Sequence, residues 1–76
     1  MTLDLLPLGQ EAVITAVGGA GALRLRLLDM GLIPKTTVRV EKIAPLGDPI
    51  ELRVRGYALS LRMEDARNIQ VEVKQV

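Results

Sequence analysis

The sequence predicts a mainly β fold, a small barrel of about five short antiparallel strands with one inserted α-helix and a short helical turn. Apolar and polar residues alternate in several short runs, as expected of strands with one buried face. The connections are short enough for hairpins, which excludes a parallel doubly wound sheet. A chain of 76 residues buries only about 60% of its unfolded surface. Closing the sheet into a barrel removes the edges that so thin a protein would otherwise expose.

The first strand is predicted over Ala12 to Val17, where small and branched residues precede a glycine pair. We expect it to pack on both faces. A helix is predicted from about Ala22 to Met30. Leucine and arginine alternate there as in a strand, but these residues are unbranched at Cβ and Gly31 offers a left-handed cap, which favours a helix.

The other strands alternate more clearly. Turn residues separate them, and a short helical turn from Met63 to Arg67, closed by Asn68, is predicted before the last one. The residues predicted to share one face are Val38 and Val40 in the second strand, Ile50, Leu52 and Val54 in the third, Tyr57, Leu59 and Leu61 in the fourth, and Ile69, Val71 and Val73 in the fifth.

The helix has two sides with different predicted roles. With 3.6 residues per turn, one side carries Leu23, Leu27 and Met30 and is predicted to face the barrel. Another side carries the predicted protein-docking residues, which are Arg24, Leu25, Leu28 and Asp29. In the alternative interpretation the helix is rolled so that Leu28 joins the core and only Leu25 is exposed.

The residue inventory argues against catalysis, a cofactor and a specific metal site. The chain has no cysteine and no histidine, so it lacks a thiolate, an imidazole base and the preferred soft metal ligands. Its carboxylates are dispersed, and Ser60 lies in a predicted strand without a nearby base. The glycine-rich loop over 18–21 lacks the Lys-Ser or Lys-Thr of a phosphate-binding P-loop. We expect no enzyme activity and no cofactor.

The charge pattern argues against nucleic acid as a partner. Ten basic and nine acidic residues leave a net charge of +1, and the two signs are interleaved. Tyr57 is the only aromatic residue, whereas single-strand binders stack bases on several. Arg39, Arg53 and Arg55 are predicted to share the outward face of the hairpins with Glu41 and Glu51 and to form cross-strand ion pairs.

A single domain over residues 1–76 is expected, because the sequence shows no linker, repeat or low-complexity stretch. It also has no signal peptide and no apolar run that could span a bilayer. We therefore expect a cytoplasmic protein that reaches a membrane only through a partner. Exposed strand edges and leucines permit weak homo-oligomers.

Several motifs in one order resemble the FeoA family of small ferrous iron transport proteins. These are Leu3-Asp4-Leu5-Leu6, Gly9, the run Arg26-Leu27-Leu28-Asp29-Met30-Gly31-Leu32-Ile33-Pro34, then Gly47-Asp48-Pro49-Ile50 and Gly56-Tyr57-Ala58-Leu59-Ser60-Leu61-Arg62. The resemblance covers essentially the whole chain. Lys35 departs from it, since the family usually carries glycine after this proline.

The resemblance implies an SH3-like barrel that acts on the cytoplasmic GTPase region of the membrane transporter FeoB. FeoB would bind GTP and move ferrous iron, and the small protein would regulate or assemble it. The alternative is an SH3-like regulatory domain related to the C-terminal domain of iron-dependent transcriptional repressors. That alternative needs an upstream winged-helix domain and metal ligands, and we expect neither, because the chain runs from Met1 directly into the predicted barrel.

Overall fold

The computed structural model describes residues 1–74. A short 3-10 helix, Leu3–Leu5, precedes five strands and two helices. In chain order these are β1 (Glu11–Val17), α1 (Ala22–Asp29), β2 (Thr37–Ile43), β3 (Ile50–Val54), β4 (Tyr57–Leu61), α2 (Met63–Ala66) and β5 (Ile69–Val73). The prediction of a mainly β fold with one inserted helix and a helical turn is confirmed.

All five strands form one antiparallel sheet in the order β4-β3-β2-β1-β5. Consecutive strands from β2 to β4 are joined as hairpins, and β5 returns to pair with β1. The register shifts once between β1 and β5, after Ile14, and once between β2 and β3, after Val40. Such bulges bend a strand and increase its twist, which lets a short sheet curve around its apolar face.

The core consists of the inward residues of the strands together with leucines from the helix and the N-terminal segment. The predicted alternation is confirmed in β2 and β3, where the residues predicted to face inward are buried. It holds only in part in the outer strands, because Tyr57 and Val73 at their ends are exposed. The buried strand residues are Ala12, Ile14, Val17, Val38, Val40, Ile50, Leu52, Val54, Leu61, Ile69 and Val71.

The prediction that β1 packs on both faces is wrong. Ala12, Ile14 and Val17 are buried, whereas Thr15 and Ala16 are exposed. Ile14 and Val17 lie an odd number of positions apart, and the bulge after Ile14 supplies the extra residue that returns Val17 to the core face. Small residues in this strand therefore mark an irregular register and not a second packed face.

The structure places Lys35 in the left-handed conformation, with a φ of 74°. Its backbone amide donates to the carbonyl of Ile14 at 2.7 Å, and the Thr36 carbonyl accepts from the Ile14 amide at 2.9 Å. The turn after Pro34 thus keeps a conformation that glycine adopts most easily, although the residue is a lysine.

Helix α2 is held at both ends by side chains. The Asp48 carboxylate accepts the amide of Met63 at 3.0 Å, and the Asn68 side chain donates to the carbonyl of Glu64 at 3.1 Å. The predicted closure of this turn by Asn68 is confirmed. Helix α2 has only four residues, so it forms few hydrogen bonds within itself. The bonds from Asp48 and Asn68 satisfy backbone groups at its two ends and help to stabilise it.

Candidate protein-docking surface on helix α1

Helix α1 starts at a glycine and is fastened to β1 by an arginine. Gly21 precedes the helix with a φ of 53°, and no side chain caps the first turn. The Gly21 carbonyl accepts the amide of Leu25 at 3.2 Å. Arg24 donates from Nε to the Val17 carbonyl at 3.1 Å, which ties the first turn of the helix to the end of the strand.

The C-terminal end of α1 is a Schellman motif centred on Gly31. The Gly31 amide donates to the Leu28 carbonyl at 3.0 Å and the Leu32 amide donates to the Leu27 carbonyl at 3.2 Å. Gly31 has a φ of 95°, and both Leu27 and Leu32 are fully buried. This is the hydrogen-bond pattern and apolar burial typical of such a motif. The predicted left-handed cap is confirmed.

Tyr57 connects this helix end to the β3–β4 hairpin. Its hydroxyl donates to the Met30 carbonyl at 2.6 Å and lies directly against the Cα of Gly31, where a Cβ would collide with it. Gly31 is therefore required for two reasons, its backbone conformation and its missing side chain. The sequence predicted only the left-handed backbone conformation, because the need for a missing side chain depends on contact with Tyr57, which lies 26 residues further along the chain.

The predicted core face of α1 is confirmed. Leu27 is fully buried, and Leu23 and Met30 are partly buried against the core. Leu25 is 60% exposed, as expected of a docking residue. Leu28, in contrast, is partly buried and packs against the core cluster.

The four predicted docking residues thus lie on one side of the helix but differ in accessibility. Arg24, Leu25 and Asp29 are exposed, and Leu28 is half-buried. The helix is rolled closer to the alternative in which Leu25 alone protrudes, flanked by one positive and one negative side chain. Nothing in the geometry identifies what binds there, so the docking role stays a prediction.

One ion pair joins helix α1 to α2, and two ion pairs on the sheet share a single glutamate. Arg26 pairs with Asp65 at 3.3 Å and joins α1 to α2. On the sheet, Glu41 accepts from Arg39 at 2.8 Å and from Arg53 at 3.1 Å. The hydrogen bond from Arg39 is the main reason that the pKa of Glu41 lies below its usual range, and Arg53 acts in the same direction.

The predicted cross-strand ion pairing is confirmed for Arg53 on β3 and Glu41 on β2, whereas Arg39 pairs with Glu41 within β2. Glu51 and Arg55 take no part in it within residues 1–74. Glu41 occupies the bulge between β2 and β3, a position that strand alternation alone does not reveal. Arg55 lies in the tight turn between β3 and β4 rather than in a strand.

No three metal-ligating side chains come together within residues 1–74. Ser60 is exposed on β4. No helix in the same stretch is long and apolar enough to cross a membrane.

A single antiparallel sheet of five short strands with one helix inserted after the first strand places the chain in the class of small β-barrel domains. Within this class the chain belongs to the FeoA domain family, whose model matches residues 1–73.

One relative and two solved structures illustrate the family. A Fe(2+) transport protein A/Fe(2+) transporter FeoB fusion protein of Porphyromonas gingivalis is 45% identical over 73 residues, which are 96% of this chain but only 9% of that protein. A FeoA-like protein of Clostridium acetobutylicum is 36% identical with a TM-score of 0.92, covering 100% of this chain and 88% of that one. The zinc-complexed FeoA of Stenotrophomonas maltophilia, described as an SH3 domain protein, is 30% identical with a TM-score of 0.83, covering 95% and 89%. The predicted SH3-like fold is confirmed.

The same fold occurs in a manganese-dependent transcriptional repressor, with a TM-score of 0.84 over 99% of this chain and 41% of that one, at 14% identity. IdeR of T. acidophilum superimposes with a TM-score of 0.84 over 97% of this chain and 34% of that one, at 21% identity. At this identity the likeness extends to the fold alone, so the function of a repressor domain does not follow from it.

Proposed function

We propose that this protein is a non-enzymatic accessory factor of ferrous iron uptake, which acts by binding the cytoplasmic GTPase region of a FeoB transporter. The observation that carries the proposal is the Porphyromonas gingivalis relative, in which a segment 45% identical to this chain belongs to the same polypeptide as FeoB. Joining two modules in one chain keeps them at a high effective concentration. Such a fusion is useful when the modules act on one another.

The surface proposed for this contact is the exposed side of α1, formed by Arg24, Leu25, Leu28 and Asp29. Leu25 is its apolar centre, because 60% of it is exposed and a leucine on a rigid helix can enter a pocket with little loss of side-chain freedom. Arg24 and Asp29 flank it with opposite charges, which would fix the orientation of a partner. Leu28 is only partly accessible on this surface, and its packing against the core helps to hold the helix in position.

Helix α1 suits this role because it is held firmly in place. The arginine bond to β1, the ion pair with α2 and the tyrosine bond at its end fix it at three points. A surface on a fixed helix loses little entropy when a partner binds.

The proposal is tested by titrating isotope-labelled protein with the soluble GTPase region of the cognate FeoB and mapping backbone shifts. We expect the largest shifts along α1. Leu25→Gln should weaken binding and leave the melting temperature nearly unchanged, since the side chain is exposed. Leu28→Gln should lower the melting temperature, because truncating or polarising a half-buried leucine costs about 1 to 3 kcal/mol.

Leu46→Gln is the matched control. Leu46 is 96% exposed at the tip of the β2–β3 turn, so this variant removes an accessible leucine without touching the helix. Equal weakening by the Leu25 and Leu46 variants would move the docking surface away from α1. Absence of any complex, by both shift mapping and pull-down with full-length transporter, would refute the proposed partner.

A further inference from the structure

A second surface, on the sheet and away from α1, brings together four cationic side chains, two of which have no acidic partner within residues 1–74. It is a shallow groove with a volume of about 430 Å³, bounded by the start of β1, the turn before β2 and the β3–β4 turn. Its lining includes four cationic side chains, Lys35, Arg39, Arg53 and Arg55, and one carboxylate, Glu11. We call this surface the basic groove.

The four cationic side chains differ in whether an acidic side chain neutralises them. Arg39 and Arg53 share Glu41 and are held in place by it. Lys35 and Arg55 have no acidic partner within residues 1–74. Arg55 makes only a long hydrogen bond, 3.4 Å, to the hydroxyl of Thr36, which places it beside the residue next to Lys35. The groove therefore contains two positioned and two uncompensated positive charges.

The backbone at the two uncompensated cations is unusual. Lys35 and Arg55, with φ values of 74° and 49°, are the only residues other than glycine with positive φ in the described chain. This conformation disfavours residues with a Cβ and is taken most readily by glycine or asparagine. Arg55 and Gly56 form a two-residue hairpin turn in which Asn-Gly is the preferred pair. Both positions thus carry a long cation where local conformation favours another residue.

Residues that contradict local conformational preference indicate a role outside folding. Here both such residues, Lys35 and Arg55, place a positive charge in the same groove. We infer that the basic groove binds an acidic segment of a protein, with Lys35 and Arg55 contacting its carboxylates. This inference concerns a different surface from α1 and does not depend on the proposed function.

The charge pattern favours an acidic protein segment over a nucleic acid. Glu11 and Glu41 lie within or beside the groove and interrupt its positive charge, so the groove offers separated cations and not the continuous basic surface that a phosphate backbone needs. The chain carries a net charge of only +1 and one aromatic residue, so it lacks the wide basic surface and the stacking platforms of nucleic-acid binders. A short segment with a few carboxylates matches the two uncompensated cations, because each carboxylate can pair with Lys35 or Arg55.

The test uses a blocked hexaglutamate peptide as the probe and a hexaglutamine peptide as its neutral counterpart. We expect saturable binding of hexaglutamate alone, with backbone shifts at residues 35–37 and 55–56, and an affinity that falls as salt is raised. The variant Lys35→Asn/Arg55→Asn removes both uncompensated charges while suiting the left-handed backbone. It should fold at least as stably as the parent and bind hexaglutamate about fivefold or more weakly.

The matched control is Lys42→Gln/Arg62→Gln, which lowers the net charge equally but lies outside the groove. It should retain binding. Equal weakening by both double variants would show that net charge alone attracts the peptide and would overturn the inference. So would tighter binding of inorganic phosphate or single-stranded oligonucleotide than of hexaglutamate, or the absence of peptide binding.

Discussion

Replacing Gly31 with alanine tests the junction at the end of α1, because two separate penalties meet there. The first is conformational, since Gly31 has a φ of 95° and an alanine in this region costs about 1 to 2 kcal/mol. The second is steric, since the new Cβ would collide with the Tyr57 hydroxyl. Moving that hydroxyl away breaks its bond to Met30 and adds about 1 kcal/mol. Together we expect a loss of about 2 to 3 kcal/mol in the free energy of unfolding.

In a domain of this size that loss lowers the melting temperature by roughly 10 to 20 °C. Urea and thermal unfolding followed by circular dichroism would measure it. Gly47→Ala is the matched control, because Gly47 has a similar φ of 90° but no atom within 4 Å of the position that an added Cβ would take. This control carries the conformational penalty alone and should cost about 1 to 2 kcal/mol.

The steric part is isolated by repeating the substitution in a Tyr57→Phe background. Without the hydroxyl, the nearest ring carbon lies 3.6 Å from the position of the added Cβ, an ordinary contact distance. Gly31→Ala should then cost about as much as Gly47→Ala. If Gly31→Ala costs the same with and without the Tyr57 hydroxyl, the two residues are not coupled and the reasoning fails.

Two further predictions concern the sheet. Leu52 is fully buried in β3, so Leu52→Ala should cost about 2 to 5 kcal/mol, whereas Arg53→Ala on the exposed face should cost under about 1 kcal/mol; similar losses in denaturant titrations would contradict the register. The pKa of Glu41 is lowered in the folded state, mainly by its hydrogen bond from Arg39. The ionised Glu41 carboxylate therefore stabilises the fold fully above the pKa that glutamate has in the unfolded chain, and this stabilisation is lost as the pH falls through the lower pKa of the folded state. Carboxyl NMR titration should show this shift relative to a Glu41-containing peptide, and Arg39→Gln should reduce it; an unchanged midpoint in that variant would rule out Arg39 as the cause.

The sequence correctly predicted those helices and strands that are determined by residues within or next to them. The alternation of Ile50, Leu52 and Val54 determined which face of β3 is buried, because a strand repeats every two residues. The helix was predicted correctly despite its alternating leucines and arginines, because Gly31 supplied the end of the helix.

What failed depended on contacts distant in the chain. The bulge that shifts Val17 onto the core face arises from pairing between β1 and β5, so the sequence around Thr15 and Ala16 resembled a doubly buried strand. The roll of α1 depends on how the whole helix packs on the barrel, which is why the partial burial of Leu28 stayed open. The positive φ of Arg55 was hidden, since arginine does not favour that conformation, and the one sign of it at Lys35 was that the resembled family usually carries glycine there.

The hydrogen bond between Tyr57 and Met30 also gives this protein a built-in optical reporter. Tyr57 is the only aromatic side chain of the chain, so near-ultraviolet absorption and emission come from one known position. That position lies where the helix and the hairpin meet, at the surface rather than in the core. The tyrosine fluorescence of unlabelled protein would therefore report opening of this junction separately from unfolding of the sheet. Coincident unfolding curves from tyrosine fluorescence and backbone circular dichroism would show that the junction and the sheet unfold in one cooperative step.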